Sequence, residues 1–161
     1  MKPIAVCAVL AGALLAAPAL ADTPPKRAAG LWETATITNA GRSGARECVD
    51  ARTDRLVRQA TSGLTCRNDD FKRTADGWSA GAKCSSGGMS TDTLVTVTGD
   101  FETFARARAV TEMTGLSGDG GTRSFSTTIE ARRIGDCEPG QTPGDIILPN
   151  GQIIHVEGAG R

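Results

Sequence analysis

Tyrosine is absent, histidine occurs once and aromatic residues make up 4% of this 161-residue chain. Those scarcities exclude a phenolic general acid, and any imidazole-based nucleophile system would rest on His155 alone. Lys and Arg number 18 against 18 Asp and Glu, so the basic excess that nucleic-acid binding requires is missing. No Gly-x-Ser-x-Gly elbow is present. Nor is there the Cys-x-x-Cys spacing that makes an attacking thiol acidic and keeps its partner close. From Cys48 onward the cysteines stand 18, 18 and 53 residues apart, too scattered for a zinc site. Ser117-Gly-Asp119-Gly-Gly121 has only a superficial likeness to a calcium loop, lacking alternating oxygen ligands and a closing Glu. It reads as a flexible turn. No catalytic residue, cofactor or metal ligand is assigned.

What is present begins with a leader. Met1-Lys2 is basic, Ile4 to Ala17 is apolar apart from Gly12, and Ala19-Leu20-Ala21 fits a signal-peptidase site. The apolar run falls short of the roughly 20 residues that a membrane span requires. Residues 1–21 are therefore read as a secretory signal peptide, and no membrane span is expected after cleavage. Cys7 lies inside the apolar stretch and away from the cleavage point, so no lipid anchor is expected. The expected location is periplasmic (or secreted).

Removing Cys7 leaves Cys48, Cys66, Cys84 and Cys137, an even set that suits two disulfides in an oxidising compartment. Asp76-Gly77 is a turn signal. A loop over Arg73–Gly77 brings Cys66 opposite Cys84, within the reach of a disulfide across an antiparallel pair. Cys48 and Cys137 then remain to pair. The short bridge would contribute ~3 kcal/mol and the long one ~4–5 kcal/mol through loop entropy. Of the 140 residues after Ala21, 23 are Leu, Ile, Val or Phe, under the roughly 20% at which folding becomes doubtful. Balanced charge argues against disorder. A thin core stitched by two crosslinks is the consistent reading.

Along the chain, residues 22–29 form a flexible lead-in, and 30–157 a single β-rich domain followed by a flexible end at 158–161. Gly30 to Thr38 alternates as a strand with Leu31, Ala35 and Ile37 on one face, interrupted by Glu33. Arg42 to Cys48 returns as a second strand. Asp50 caps a helix over Ala51–Ala60, with Leu56, Val57 and Ala60 on one stripe and Arg52, Arg55 and Arg58 on a solvated side. Ser85 to Gly88 reads as a flexible connection. Ser90 to Thr98 is the clearest strand, with Val95 and Val97 on one face.

Phe104–Met113 and Thr122–Ile134 form a hairpin. Setting Ala105, Ala107 and Ala109 against Ala131, Ile129 and Thr127 also sets Arg106 against Glu130, a favourable cross-strand pair. The Pro- and Gly-rich end is pinned by Cys137, and Ile153, Ile154 and Val156 add a short last strand. The fold class is α+β, predominantly an antiparallel β-sheet with six or seven strands, curved in a half-barrel-like way, with one short helix and disulfide staples.

Gly30-Leu31-Trp32-Glu33, Cys48-Val49-Asp50, Thr98-Gly99-Asp100-Phe101, Gly135-Asp136-Cys137 and Pro143-Gly144-Asp145, in this order behind a signal peptide, resemble the domain-of-unknown-function family 3617. The resemblance implies a small exported protein of Gram-negative type and a periplasmic home, and it carries over no catalytic residue, cofactor or substrate.

Function follows by elimination and location. The leading expectation is a non-enzymatic envelope module that binds a partner, an unknown envelope protein, or a small apolar ligand. Trp78 and Trp32 form the candidate binding surface, since tryptophan is enriched among interface anchors; the core is the favoured place for Trp32, while Trp78, next to a turn, suits either. The alanine face offers either a seat for the helix or a shallow apolar groove. Two alternatives stay open: a hydrolase-like enzyme using two converging carboxylates of raised pKa, and a purely structural or stress-related envelope component.

Overall fold

The computed structural model describes residues 23–61, 67–86, 88–115 and 121–155. Six long strands alternate tightly enough to form ladders: β1 (Gly30–Thr38), β2 (Gly41–Val49), β5 (Trp78–Ser86), β6 (Met89–Gly99), β7 (Phe104–Thr114) and β8 (Thr122–Gly135). Four two-residue strands complete the sheet, namely β3 (Arg67–Asn68), β4 (Lys72–Arg73), β9 (Ile146–Ile147) and β10 (Ile153–Ile154). The order is β10-β9-β2-β1-β8-β7-β6-β5-β3, with β4 also on β5. Every pairing is antiparallel. The sheet is open, with β10 and β3 at its ends.

The β7–β8 register is the expected one, with Ala105, Ala107 and Ala109 opposite Ala131, Ile129 and Thr127, and Arg106 opposite Glu130. At its start, Gly99 packs so close that a Cβ there would lie 2.3 Å from the Phe104 carbonyl oxygen. Asp100 then accepts the N–H groups of Glu102, Thr103 and Phe104 at 2.8–2.9 Å. These bonds hold its carboxyl well below the usual carboxylate range, the Thr103 hydroxyl contributing most. Phe101 adopts φ 63° and turns its ring into the core.

One helix, α1 (Leu56–Thr61), lies over β6, β7 and β8. Small alanines let it approach, and Ala105, Ala107 and Ala131 are wholly buried, with Leu56 2% exposed. Burying a Leu side chain stabilises a fold by about 1.5–3 kcal/mol. The helix begins later than the expected Ala51. The Asp50 carboxylate accepts the N–H groups of Arg52 and Thr53 at 2.9 and 2.8 Å, which makes a single tight turn. Asp54 starts the helix instead, accepting the Leu56 N–H at 3.1 Å.

β1 alternates as expected, with Leu31 on one face beside its ladder partner Cys48, and the core face is the other, carrying Trp32 and Thr34. Other expectations shift. The lead-in is packed and not loose from Arg27 onward. Arg27 is 2% exposed, and the Ala28 N–H donates to the Phe101 carbonyl at 2.7 Å. At the expected connection after Cys84, Ser85 and Ser86 belong to β5 and pair with Ser90 and Met89 of β6.

The Cys48–Cys137 disulfide is formed. Cys84 is also disulfide-bonded. Its expected partner Cys66 lies outside the described residues, while Arg67 and Asn68 pair with Lys83 and Ala82. The far end of that hairpin is shifted by one residue: Arg73 pairs with Trp78, and the loop is Thr74–Gly77. Gly77 is required there, since a Cβ would lie 2.1 Å from the Val97 carbonyl oxygen. No helix among the described residues is long and apolar enough to cross a membrane.

Candidate functional site

Neither tryptophan presents an open ring. Trp32 is fully buried, its indole N–H donates to the Ala28 carbonyl at 2.9 Å, and the Arg27 guanidinium lies 5.4 Å from its ring centre. Trp78 is 8% exposed, meets Phe101 edge-to-face at 5.4 Å, and is capped by the Arg73 guanidinium at 4.1 Å. The alanine groove is filled by α1. Trp32 fills the core as favoured, and Trp78 is spent there too and offers no surface, because a chain this poor in large apolar side chains uses both indoles inside.

Open space gathers instead around β2 and the segment that follows β9. On the outer face, a cleft of about 390 Å³ is floored by Ala35 and Gly44 and walled by Glu33, Arg42, Arg46 and Arg132. Leu148 and Pro149 form its lip. On the inner face, a second cavity of about 390 Å³ is lined by the hydroxyl residues Thr34, Thr36, Ser43 and Thr127, with Ile129 and Leu148 beside them. Thr34 is 5% exposed and its hydroxyl has no hydrogen-bond partner.

A buried ionic strut supports the inner cavity. Arg27 donates from Nε to Asp54 Oδ1 and from Nη2 to Glu47 Oε2, both at 2.9 Å, and its backbone N–H reaches Asp54 Oδ2 at 2.7 Å. Gln59 Nε2 donates to the other Glu47 oxygen at 3.3 Å. This ties the lead-in, β2 and α1 into one unit.

The segment after Cys137 is fastened to β2 at several points. The disulfide anchors it at Cys48, and the Cys48 N–H donates to the Asp145 carbonyl at 3.0 Å. Asp145 is 2% exposed. Burial pushes its carboxyl up, but the Thr142 N–H, the His155 ring 2.8 Å away and the Thr142 hydroxyl together hold it below the ordinary value. The chain's single histidine thus clamps the C-terminal hairpin. It lies just past β10, with a 68%-exposed side chain.

β9 pairs with β2 only at Arg46 and Glu47. In the same register Pro149 falls opposite Gly44, and proline has no N–H to donate. The chain turns away there: the Gly151 N–H closes on the Leu148 carbonyl, and the Leu148 N–H on that of Gln152, both at 2.9 Å. Backbone groups alternate sides along an antiparallel strand. Since the Cys48 N–H points at β9, those of Gly44 and Arg42 point the same way, past the end of the ladder. Among the described residues no strand partner meets them.

The cleft does bring two carboxylates together, Glu33 and Glu130. Glu130 is bonded by the Arg106 guanidinium, which holds its pKa below the ordinary value against burial. A general acid needs the opposite shift. Among the described residues no group of three His, Cys, Asp or Glu side chains could hold a metal ion.

Side-chain patterns do not disclose this site, because an open edge is a property of backbone pairing. The legible signal was Pro149, two residues after the last paired position. Neither a curated protein nor a solved structure matches the chain. A sequence family described as "Protein of unknown function (DUF3617)" matches residues 27–137, most of the chain, and the protein belongs to that family.

Proposed function

We propose that the protein is a non-enzymatic module of the cell envelope, exported to the periplasm, that binds a partner at the two cavities flanking β2. The observation that carries this reading is their placement: both open beside the same strand, and Gly44, Ala45, Thr34 and Leu148 border each of them. Carriage of a small apolar ligand on the alanine face has lost its groove to Leu56 and α1. Binding of a macromolecular partner is therefore favoured over carriage. The apolar start of the chain and the formed disulfide are compatible with an oxidising compartment.

Native mass spectrometry of the processed protein, released gently from periplasm, tests the reading. A stoichiometric added mass lost on Arg42→Glu substitution is the expected result. A bare chain under all release conditions would overturn it and leave a purely structural role.

A further inference from the structure

We infer that the Arg42–Gly44 edge of β2 is a strand-addition site for an extended peptide segment of a partner protein, with acidic residues at alternate positions and small hydroxyl or aliphatic residues between them. The inference rests on the binding-module reading above and adds its mode and chemistry.

Three observations converge. First, the edge-directed N–H and C=O groups of Arg42 and Gly44 lie beyond the last β9 pair, because Pro149 cannot extend that ladder. An added strand satisfies such groups by main-chain hydrogen bonds, while pockets for alternate side chains supply specificity. Second, the two cavities are on opposite faces of this one strand, as the side-chain alternation of an added strand demands. Side chains opposite Arg42 and Gly44 enter the outer cleft, and the one between them, opposite Ser43, enters the inner cavity. That cavity is lined with hydroxyls, and the buried Thr34 hydroxyl lacks a partner.

Third, charge selects the occupant. Arg46 is paired with Glu138 at 3.1 Å and Glu130 with Arg106, while Arg42 and Arg132 are exposed at the cleft, near Glu130 but in no ion pair with it, Arg132 lying over the Phe104 ring. An acidic side chain on the incoming strand meets these cations. A second copy of β2 would instead bring its own Arg42 and Arg46 onto the same face, opposing like charges. Gly44, with no side chain, leaves the approach over the edge open.

Two fluorescein-labelled peptides test this with the full processed chain: Glu-Thr-Glu-Val-Glu-Thr-Glu and its charge-reversed twin Lys-Thr-Lys-Val-Lys-Thr-Lys. The acidic peptide is expected to bind at least tenfold more tightly, and to slow amide hydrogen exchange at Arg42 and Gly44. Gly44→Pro removes one edge N–H that β1 does not use, and should weaken binding at least tenfold. Arg42→Glu leaves the backbone intact and should reverse the preference toward the lysine peptide.

Equal affinity for both peptides, no binding of either at millimolar concentration, or protection confined to other strands would overturn the inference. So would Arg42 and Gly44 amides already protected in the free chain, or a concentration-dependent dimer abolished by Gly44→Pro. A native-mass adduct that survives Gly44→Pro but is lost on Arg42→Glu would sink strand addition while leaving the binding-module reading in place.

Discussion

Arg27 illustrates how much a single side chain carries where the oily interior is thin. Its guanidinium is buried between Glu47 and Asp54, and Trp32 lies against it. Removing the cation leaves two carboxylates out of water without a counter-charge, a loss of about 3–5 kcal/mol in comparable buried pairs. Arg27→Ala is therefore expected to lower the urea midpoint by that equivalent, and a change under 1 kcal/mol would show that the strut is not energetically coupled. Thr34 is the contrasting case. Its buried hydroxyl has no partner, and leaving such a group unsatisfied costs ~1–3 kcal/mol. Thr34→Val should hold or raise stability while weakening whatever occupies the inner cavity. A stability loss would mean that the hydroxyl is already satisfied in the free protein.

Asp145 gives the residue scale its pH dependence. Its folded pKa is depressed below the ordinary carboxylate value. A depressed carboxylate contributes stability that is fully present above its unfolded pKa and is lost as pH falls through the folded one. Between pH 7 and about 5 the contribution should be constant, and it should decline below ~4. Asp145→Asn is expected to be less stable at neutral pH and to show a shallower acid limb. Equilibrium denaturation from pH 7 down to 2 measures both. An acid limb unchanged from wild type would remove Asp145 from the account.

At the scale of elements, α1 is held by one well-placed leucine over a floor of alanines. Leu56→Ala should cost about 2–5 kcal/mol in unfolding free energy, because the close-packed floor cannot collapse to fill the gap. A cost below 1 kcal/mol would show that the helix is dispensable. What could be read in advance follows the same logic. The β7–β8 register was legible because two faces had to agree: alanines against small apolar partners, and Arg106 against Glu130. The helix start was not, since Asp50 and Asp54 are equally good caps by composition and only the local bonds to Thr53 divert the first. The alternation of β1 left open which face meets the core, and Trp32 is completed there by Arg27 and Ala28, residues outside any periodic pattern. The site at β2 was hidden for a different reason. It depends on where β9 stops, which no side-chain alternation records.

For the whole molecule, the Cys48–Cys137 crosslink spans 89 residues and fastens the β9–β10 hairpin to the edge of the main sheet. Its loss has two separable consequences. Loop entropy predicts a decrease of ~4–5 kcal/mol in global stability for Cys48→Ser with Cys137→Ser. Locally, Arg46 and Cys48 depend on residues 144–147 for their edge hydrogen bonds, whereas the β6–β7–β8 ladders make no use of that segment. In the double variant the Arg46 and Cys48-position amides should exchange faster than those of Val95 or Ala107 by more than the global change accounts for. The open edge would then lengthen from Gly44 to the end of β2. A lengthened edge pairs less selectively, so the acidic and basic peptides should be bound with a smaller difference than in the intact protein. If exchange instead accelerates uniformly across all strands, the hairpin is not an independent cover. The disulfide would then act on the molecule only through its unfolded state.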